Sequence, residues 1–359
     1  MKAAVCYEFG SPLVVEEIEI DPPKAHEVKV HLAATAICHS DIHHIKGEIG
    51  GELPVVAGHE SAGYVEEVGK NVTSVKPGDT VLVSCLAYCG QCHYCSAGLP
   101  HLCDAEWPLD TESRLRNRRG ESLVQMAKVA GFSEYTIVHE SQAVKIPEDM
   151  PVDRAALLAC GVITGFGAVV NRAQVKAESS VVVVGTGGVG LNAVQGAAFA
   201  RANPIIAVDI LDTKLEAARI FGATHTINAR QEDAIDAVQR LTSGRGSDWV
   251  FVTSGNIAAI QQGYSMSAPR GTTVFIGLPP VKESFCFVPM EFIRFEKAFI
   301  GAFMGSTRPH TDIPMFVDLY QAGRLKLDEL ITGRYSLEQI NEAIESVEKG
   351  EALRNVIMF

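Results

Sequence analysis

The sequence predicts an α/β chain in which a doubly wound parallel sheet is joined to a mostly β part. Three observations carry this prediction. Short apolar and polar residues partly alternate over residues 1–150, with turn signals between them. Strand-like and helix-like segments then take turns from Ser180 to about residue 303. Between the first strand and helix of that series lies a glycine-rich turn.

Composition sets the bounds. A chain of 359 residues is long enough for about two domains, each with a core of its own. Its 47% hydrophobic and 21% charged residues are ordinary for a globular protein. A net charge of −12 disfavours nucleic acid or an anionic membrane as the main partner. The stretch MKAAVCYEFG has too short an apolar run for a signal peptide, and a cytoplasmic location is the expectation.

In order along the chain, AAVCYEF, LVVEEIEI and EVKVHLAATAI read as short strands, with Asp21-Pro22-Pro23 as a turn. SAGYVEEVG and DTVLVSC continue the pattern, and residues 1–150 read as a twisted, partly closed sheet. Inside this region stand Cys38-His39-Ser40-Asp41-Ile42-His43-His44 and, 21 residues after Cys38, His59 followed by Glu60. A thiolate and an imidazole at Cys38 and His59 are candidate zinc ligands if a third comes from elsewhere; singly, each also reads as a buried thiol or a satisfied histidine.

Cys89, Cys92, Cys95 and Cys103 follow, with the spacing C-x2-C-x2-C-x7-C. Four thiolates on so short a loop can close tetrahedrally around Zn²⁺ and leave no open position, so such a zinc would be structural. The total of nine cysteines is odd, and four are clustered, which favours metal over disulfides. A polar insertion, Asp104 to Lys128, contains Arg114, Arg116, Arg118 and Arg119. It reads as a solvated loop or as a phosphate contact. Ala155 to Val170 is an uncharged run holding Cys160, either a core thiol or the third ligand.

Val181 to Val184 is a β-branched run, as expected of a strand buried on both faces. Gly185, Gly187 and Gly190 spell G-x-G-x-x-G, with Gly188 as a fourth glycine, and a small-residue helix follows to Ala200. Pro204 breaks it, and the strand Ile205 to Val208 delivers Asp209, 19 residues after Gly190. Such glycines let the backbone approach a pyrophosphate at the helix N-terminus, and the acid accepts hydrogen bonds from the adenosine ribose. This is a dinucleotide-binding unit. Ser179 to Ala200 carries no charge and could span a membrane by length, but its five glycines, Asn192 and Gln195 argue against that. Helix-like and strand-like segments alternate onward; Thr311 to Gly323 and Ser336 to Lys349 read as amphipathic helices, and RNVIMF as a closing strand.

The order Cys38, His59-Glu60, the four clustered cysteines, Cys160, GTGGVG and Asp209 resembles the zinc-dependent medium-chain alcohol dehydrogenases over essentially the whole chain. The resemblance implies a Rossmann domain, residues 162–303, inserted into a GroES-like, mostly β catalytic domain of residues 1–161 and 304–359. It implies two zincs per chain and NAD as coenzyme. Cys38, His59 and Cys160 match the catalytic zinc ligands, the Cys₂His set known for alcohol dehydrogenases, and Glu60 matches an acid able to approach the metal. Asp41 resembles the carboxylate that orients the ligand histidine. Ser40 and His43 match a proton relay. Thr164 and Val189 match residues flanking the nicotinamide, Asp209 and Lys214 the adenosine-ribose pair, and Arg354 a pyrophosphate contact. His39 stands where some relatives carry an arginine against the pyrophosphate, and Cys85 near a pocket position that is often aromatic. The implied reaction is hydride transfer between a primary or secondary alcohol and NAD⁺, in a homo-oligomer that is dimeric rather than tetrameric. The alternatives are a dehydrogenase of a formaldehyde–thiol adduct and a non-catalytic, zinc-stapled NAD-binding protein.

Overall fold

The structure, a computed structural model, describes residues 1–280 and 282–359. The chain forms two compact units, one of Met1–Cys160 with Arg308–Phe359 and one of Gly161–Thr307. The family resemblance implies a later join at residue 304. In the structure the turn Met304–Ser306 belongs to the second unit, where Gly305 O accepts a bond from Asn171 Nδ2 at 3.4 Å and Thr307 Oγ1 donates to Ile163 O at 3.5 Å.

Period-two burial builds the first unit. In the strand Glu27–Ala36, Val28, Val30, Leu32 and Ala34 are fully buried, whereas His31 between them is exposed. This strand is central in a seven-stranded sheet ordered Ala143–Lys145, Thr80–Ser84, Glu60–Val68, Glu27–Ala36, Arg354–Met358 and Ile331–Ser336, with Tyr135–His139 also paired to Glu27–Ala36. The closing strand thus returns from the far end of the sequence: Val356 lies opposite Ala36 and Met358 opposite Ala34. Lys2–Cys6, Val14–Ile20, Leu115–Asn117, Ser122–Gln125 and Val55–Val56 form a closed barrel beside it, rather than the partly closed sheet expected.

The stretch Asp104–Lys128 departs from its reading as a solvated loop. It supplies two barrel strands, with Leu115 and Leu123 fully buried. Arg114 misleads because it is charged yet 1% exposed, its Nε and Nη2 donating to the two carboxylate oxygens of Glu27 at 3.0 and 2.6 Å. Arg116 faces Asp21, Arg118 pairs with Glu17 and Arg119 with Glu121, so every arginine of the run has a carboxylate partner.

The second unit is a six-stranded, all-parallel sheet. Its strands are β1 (Val181–Val184), β2 (Ile205–Asp209), β3 (His225–Asn228), β4 (Ser247–Val252), β5 (Ser267–Phe275) and β6 (Ala298–Gly301). They lie in the order β3-β2-β1-β4-β5-β6, as in a doubly wound dinucleotide-binding fold. The run weighed as a membrane span is β1 followed by helix α1, Gly188–Phe199. A different helix, Val152–Arg172, is long and apolar enough to cross a membrane, but 89% of its apolar window is buried inside the protein.

Candidate active site and metal centres

Asp41 organises the first site. Cys38 caps the short helix His39–Ile45, whose first turn holds Asp41, fully buried. The Asp41 carboxylate accepts from Cys38 N–H at 2.9 Å and Gly58 N–H at 3.1 Å, and lies 2.7 Å from His59 Nδ1. One side chain therefore fixes the Cys38 turn to the segment carrying His59, and leaves His59 Nε2 pointing away as an acceptor. Gly58 has φ +92°, and a Cβ there would meet Phe132 N at 2.6 Å, so only glycine turns the chain here. Cys160 arrives from a wide π-type turn, Leu158–Val162, in the long apolar helix. The donor atoms of Cys38, His59, Glu60 and Cys160 all lie within 4.8 Å of one another.

Charge in this set is uneven. A hydrogen bond from Cys160, aided by His59 and opposed by burial, holds Cys38 well below the usual thiol range. The same bond, together with burial, holds Cys160 well above it. Burial works to lower His59, but Asp41 and Cys38 together outweigh it and keep the imidazole well above its ordinary value. Burial pushes the Glu60 carboxyl up to about 8, against the pull of Arg354. A dication favours the deprotonated forms, so metal binding here releases protons.

Arg354 is 5% exposed and ion-paired through Nη2 with Glu60 Oε2, beside the donor set. Ser40 Oγ donates to Cys38 Sγ at 3.1 Å and lies 3.4 Å from His59 Nε2. His43 is partly exposed, its Nδ1 bonded to Glu48, and its ring centroid is 6.5 Å from that of exposed His39. His44 turns elsewhere: its Nε2 is buried without a hydrogen-bond partner, and a Cβ on Gly51 would strike its ring. Cys85 is close enough to His59, Glu60 and Cys38 to feel their charges, and burial pushes its thiol up.

Cys89, Cys92, Cys95 and Cys103 also bring their sulfurs within 4.8 Å of one another. Backbone N–H groups aim at them: Gln91 and Cys92 donate to Cys89 Sγ at 3.5 and 3.2 Å, and Cys89 donates to Cys103 Sγ at 3.3 Å. Those of Gln91 and Cys92 lower Cys89 to about 7, while burial, chiefly, pushes Cys95 up to about 12.

In the second unit, Gly185 (φ +88°) turns the chain out of β1, and Gly190 lies so close that a Cβ would sit 1.9 Å from Gly185 O. Gly187 caps α1 and has open space where its Cβ would be, with Gly188 and Val189 next in the first turn. Thr164 is buried, its Oγ1 donating to Met304 Sδ at 3.7 Å; its neighbour Gly165 packs against Val189, where a Cβ would meet Val189 O at 2.1 Å. Asp209 ends β2, with Thr186 N–H and Oγ–H both directed at its Oδ2. Lys214 lies in the helix that follows.

Two family models match the chain: an alcohol dehydrogenase GroES-like domain over residues 24–148 and a zinc-binding dehydrogenase over residues 188–322. The NDMA-dependent alcohol dehydrogenase of Amycolatopsis methanolica is 39% identical over 365 residues, covering 99% of this chain and 98% of that one. The chain belongs to the zinc-dependent medium-chain alcohol dehydrogenases. The benzyl alcohol dehydrogenase of Acinetobacter calcoaceticus superposes with a TM-score of 0.93 at 31% identity, covering 100% of this chain and 99% of that one. A zinc-binding dehydrogenase of Sinorhizobium meliloti, bound to NADP, gives 0.84 at 27% identity, covering 100% and 99%.

This alcohol dehydrogenase therefore uses zinc and a nicotinamide coenzyme, and its residues fit both. Glu60 Oε1 is a buried carboxylate oxygen without a hydrogen-bond partner, and the Glu60 carboxylate is grouped with two sulfurs and an imidazole, a donor mixture suited to zinc. The open space at Gly187, on a helix N-terminus, suits a pyrophosphate. Two residues escaped the sequence reading. Glu48, five positions after His43, partners its ring, and Thr186, the variable position of the glycine motif, grips Asp209.

Proposed function

We propose that this alcohol dehydrogenase is NAD-specific, with one catalytic and one structural zinc per chain. The catalytic zinc would be held by Cys38, His59 and Cys160 with Glu60 in reserve, the structural one by Cys89, Cys92, Cys95 and Cys103. The observation that carries the reading is the buried donor set fastened by Asp41. When bound, zinc supplies Lewis acidity that makes an alcohol proton labile, as it brings bound water from 15.7 to about 7, and NAD⁺ accepts the hydride. Asp41 holds His59 in the tautomer that frees Nε2 for the metal. Ser40 Oγ, against Cys38 and His59, would take the alcohol proton. His43, partly exposed, would hand it to solvent, and an imidazole suits that exchange near neutrality. Asp209 pairs with a ribose 2′-hydroxyl and repels a 2′-phosphate, which favours NAD over NADP. Lys214 would assist at the ribose, and Thr164 and Val189 would flank the nicotinamide.

We assign a homodimer and a cytoplasmic location on further grounds. Strand β6 is the outer strand of its sheet, and Met290, Ile293 and Phe303 near it are 69, 69 and 57% exposed, an apolar surface suited to a second copy. Four of the nine cysteines cluster at metal-ligand spacing, which favours metal over disulfides and is in keeping with a reducing compartment. The formaldehyde–thiol reading loses its one hint, since the Arg114–Arg119 stretch is occupied by ion pairs. The test is zinc content per chain together with kcat/KM for NAD and NADP over a panel of primary and secondary alcohols. Two zincs and a preference for NAD are expected; a preference for NADP overturns the coenzyme assignment.

A further inference from the structure

The carboxylate of Asp209 is gripped from two sides. Its Oδ2 accepts from Thr186 N–H at 2.7 Å and Thr186 Oγ–H at 2.9 Å. Its Oδ1 accepts from Ile210 N–H at 2.7 Å and Leu211 N–H at 3.2 Å. Three of these four donors are backbone groups that any sequence would offer. The fourth is the hydroxyl of Thr186, which is fully buried, so water does not compete for it. Thr186 itself cannot drift. Gly185 on one side is anchored by Thr253, whose Oγ1 donates to Gly185 O at 2.7 Å, and Gly187 on the other caps α1. The hydroxyl thus ties the acid at the end of β2 to the turn at the end of β1.

An acid that discriminates between a 2′-hydroxyl and a 2′-phosphate must not swing aside when the phosphate arrives, because its repulsion is then lost. We propose that Thr186 is a positioning residue for coenzyme selection, its buried hydroxyl locking the Asp209 carboxylate in the orientation that accepts a ribose hydroxyl and rejects a 2′-phosphate. The inference rests on the reading of Asp209 as the ribose acid. Valine at this position keeps the shape and the backbone bond and removes only the side-chain donor; serine keeps the donor.

The experiment is calorimetric binding of 5′-AMP and of 2′,5′-ADP to the zinc-loaded, nucleotide-free enzyme. It compares the unaltered protein with Thr186→Val, Thr186→Ala, Thr186→Ser and Asp209→Asn. The unaltered enzyme is expected to prefer 5′-AMP. Thr186→Val should narrow that preference about fivefold, the scale of one net hydrogen bond, mainly through tighter 2′,5′-ADP binding. Thr186→Ser should keep it, and Thr186→Ala should repeat the valine result if valine fails to fold. A ratio within about twofold of the original in both Val and Ala variants, with Asp209→Asn collapsing it, overturns the role of Thr186 and leaves Asp209 as the ribose acid. Equal loss in the serine variant overturns it too, because packing and not the hydroxyl is then responsible. Preference of the unaltered enzyme for 2′,5′-ADP removes the reading of Asp209 itself.

Discussion

The two sulfur-rich donor sets lie in the same unit and are built on opposite plans. Cys89, Cys92, Cys95 and Cys103 come from one loop, are partly exposed, and are steered by backbone N–H groups of that loop. Cys38, His59, Glu60 and Cys160 come from three separate stretches, are buried, and are steered by the side chains of Asp41 and Arg354. A local set can fold around its metal and hold its own lobe. A set assembled at long range needs the whole unit first, and in return offers mixed donors in a dry setting where charge effects are strong.

The contrast is broken most directly by removing one sulfur from each set. Cys160→Ala should take alcohol oxidation to the assay floor and bring zinc content down by one per chain, with thermal unfolding little changed. Cys95→Ala should instead lower the melting temperature by about 5–10 °C or abolish soluble yield, because closed zinc sites contribute folding free energy. A stable, selectively inactive Cys95→Ala protein would reverse the two assignments.

Asp41→Asn asks whether the steering side chain matters as much as the ligands. Losing the carboxylate behind His59 should weaken zinc retention or turnover about 10- to 100-fold, read by competition with a chelator and by kcat. Retention equal to that of the unaltered enzyme would show that the backbone alone places the ligands.

Weaker still should be His43→Gln, which leaves both sets intact. Oxidation should slow roughly tenfold below about pH 7, with partial rescue by added imidazole, because only the exit of the proton is impaired. His44, half-buried and turned towards Gly51, should leave the pH–rate profile in place when changed to Gln. The opposite pattern would move the relay to His44.

The smallest effect is a difference in reactivity inside the local set once its metal is stripped. Cys89, lowered to about 7 by the N–H groups of Gln91 and Cys92, should be alkylated increasingly as pH rises through 7. Its thiolate is favoured in the fold, so that favour is present above the ordinary thiol pKa of 9.0 and lost as pH falls through 7. Cys95, pushed up to about 12, should remain a thiol over the same range. Peptide mass spectrometry after iodoacetamide treatment reads both, and equal labelling would show that the loop loses its shape without metal.

How far the sequence spoke for itself follows the same division. The glycine motif, Asp209 and the four clustered cysteines are local patterns, in which spacing along the chain already sets spacing in space. The parallel sheet was readable for the same reason, since each strand is followed by its own helix. Cys38, His59 and Cys160 could each be read as a candidate ligand or as a core side chain, and only the resemblance joined them, because no local rule links them. The pairing of Arg354 with Glu60 was not legible, because the two stand 294 positions apart. The hairpin after Cys103 was missed because four arginines imitate a solvated loop, while Glu27, the partner that buries Arg114, lies 87 positions earlier. Glu48 is near in sequence to His43, but nothing in its type separates it from the other surface acids.

The strand Arg354–Met358, seated against Glu27–Ala36, has a consequence for biosynthesis. A ribosome delivers one neighbour, Glu27–Ala36, first, then the whole of the parallel-sheet unit, and only afterwards Ile331–Ser336 and the strand itself. Until then the edge of Glu27–Ala36 that faces it lacks its partner, and Glu60 lacks Arg354. Nascent chains therefore pass through a stage in which the nucleotide unit can already be formed while the reaction centre is incomplete. A chaperone that shields exposed strand edges would act on this protein late in translation, on the part made first.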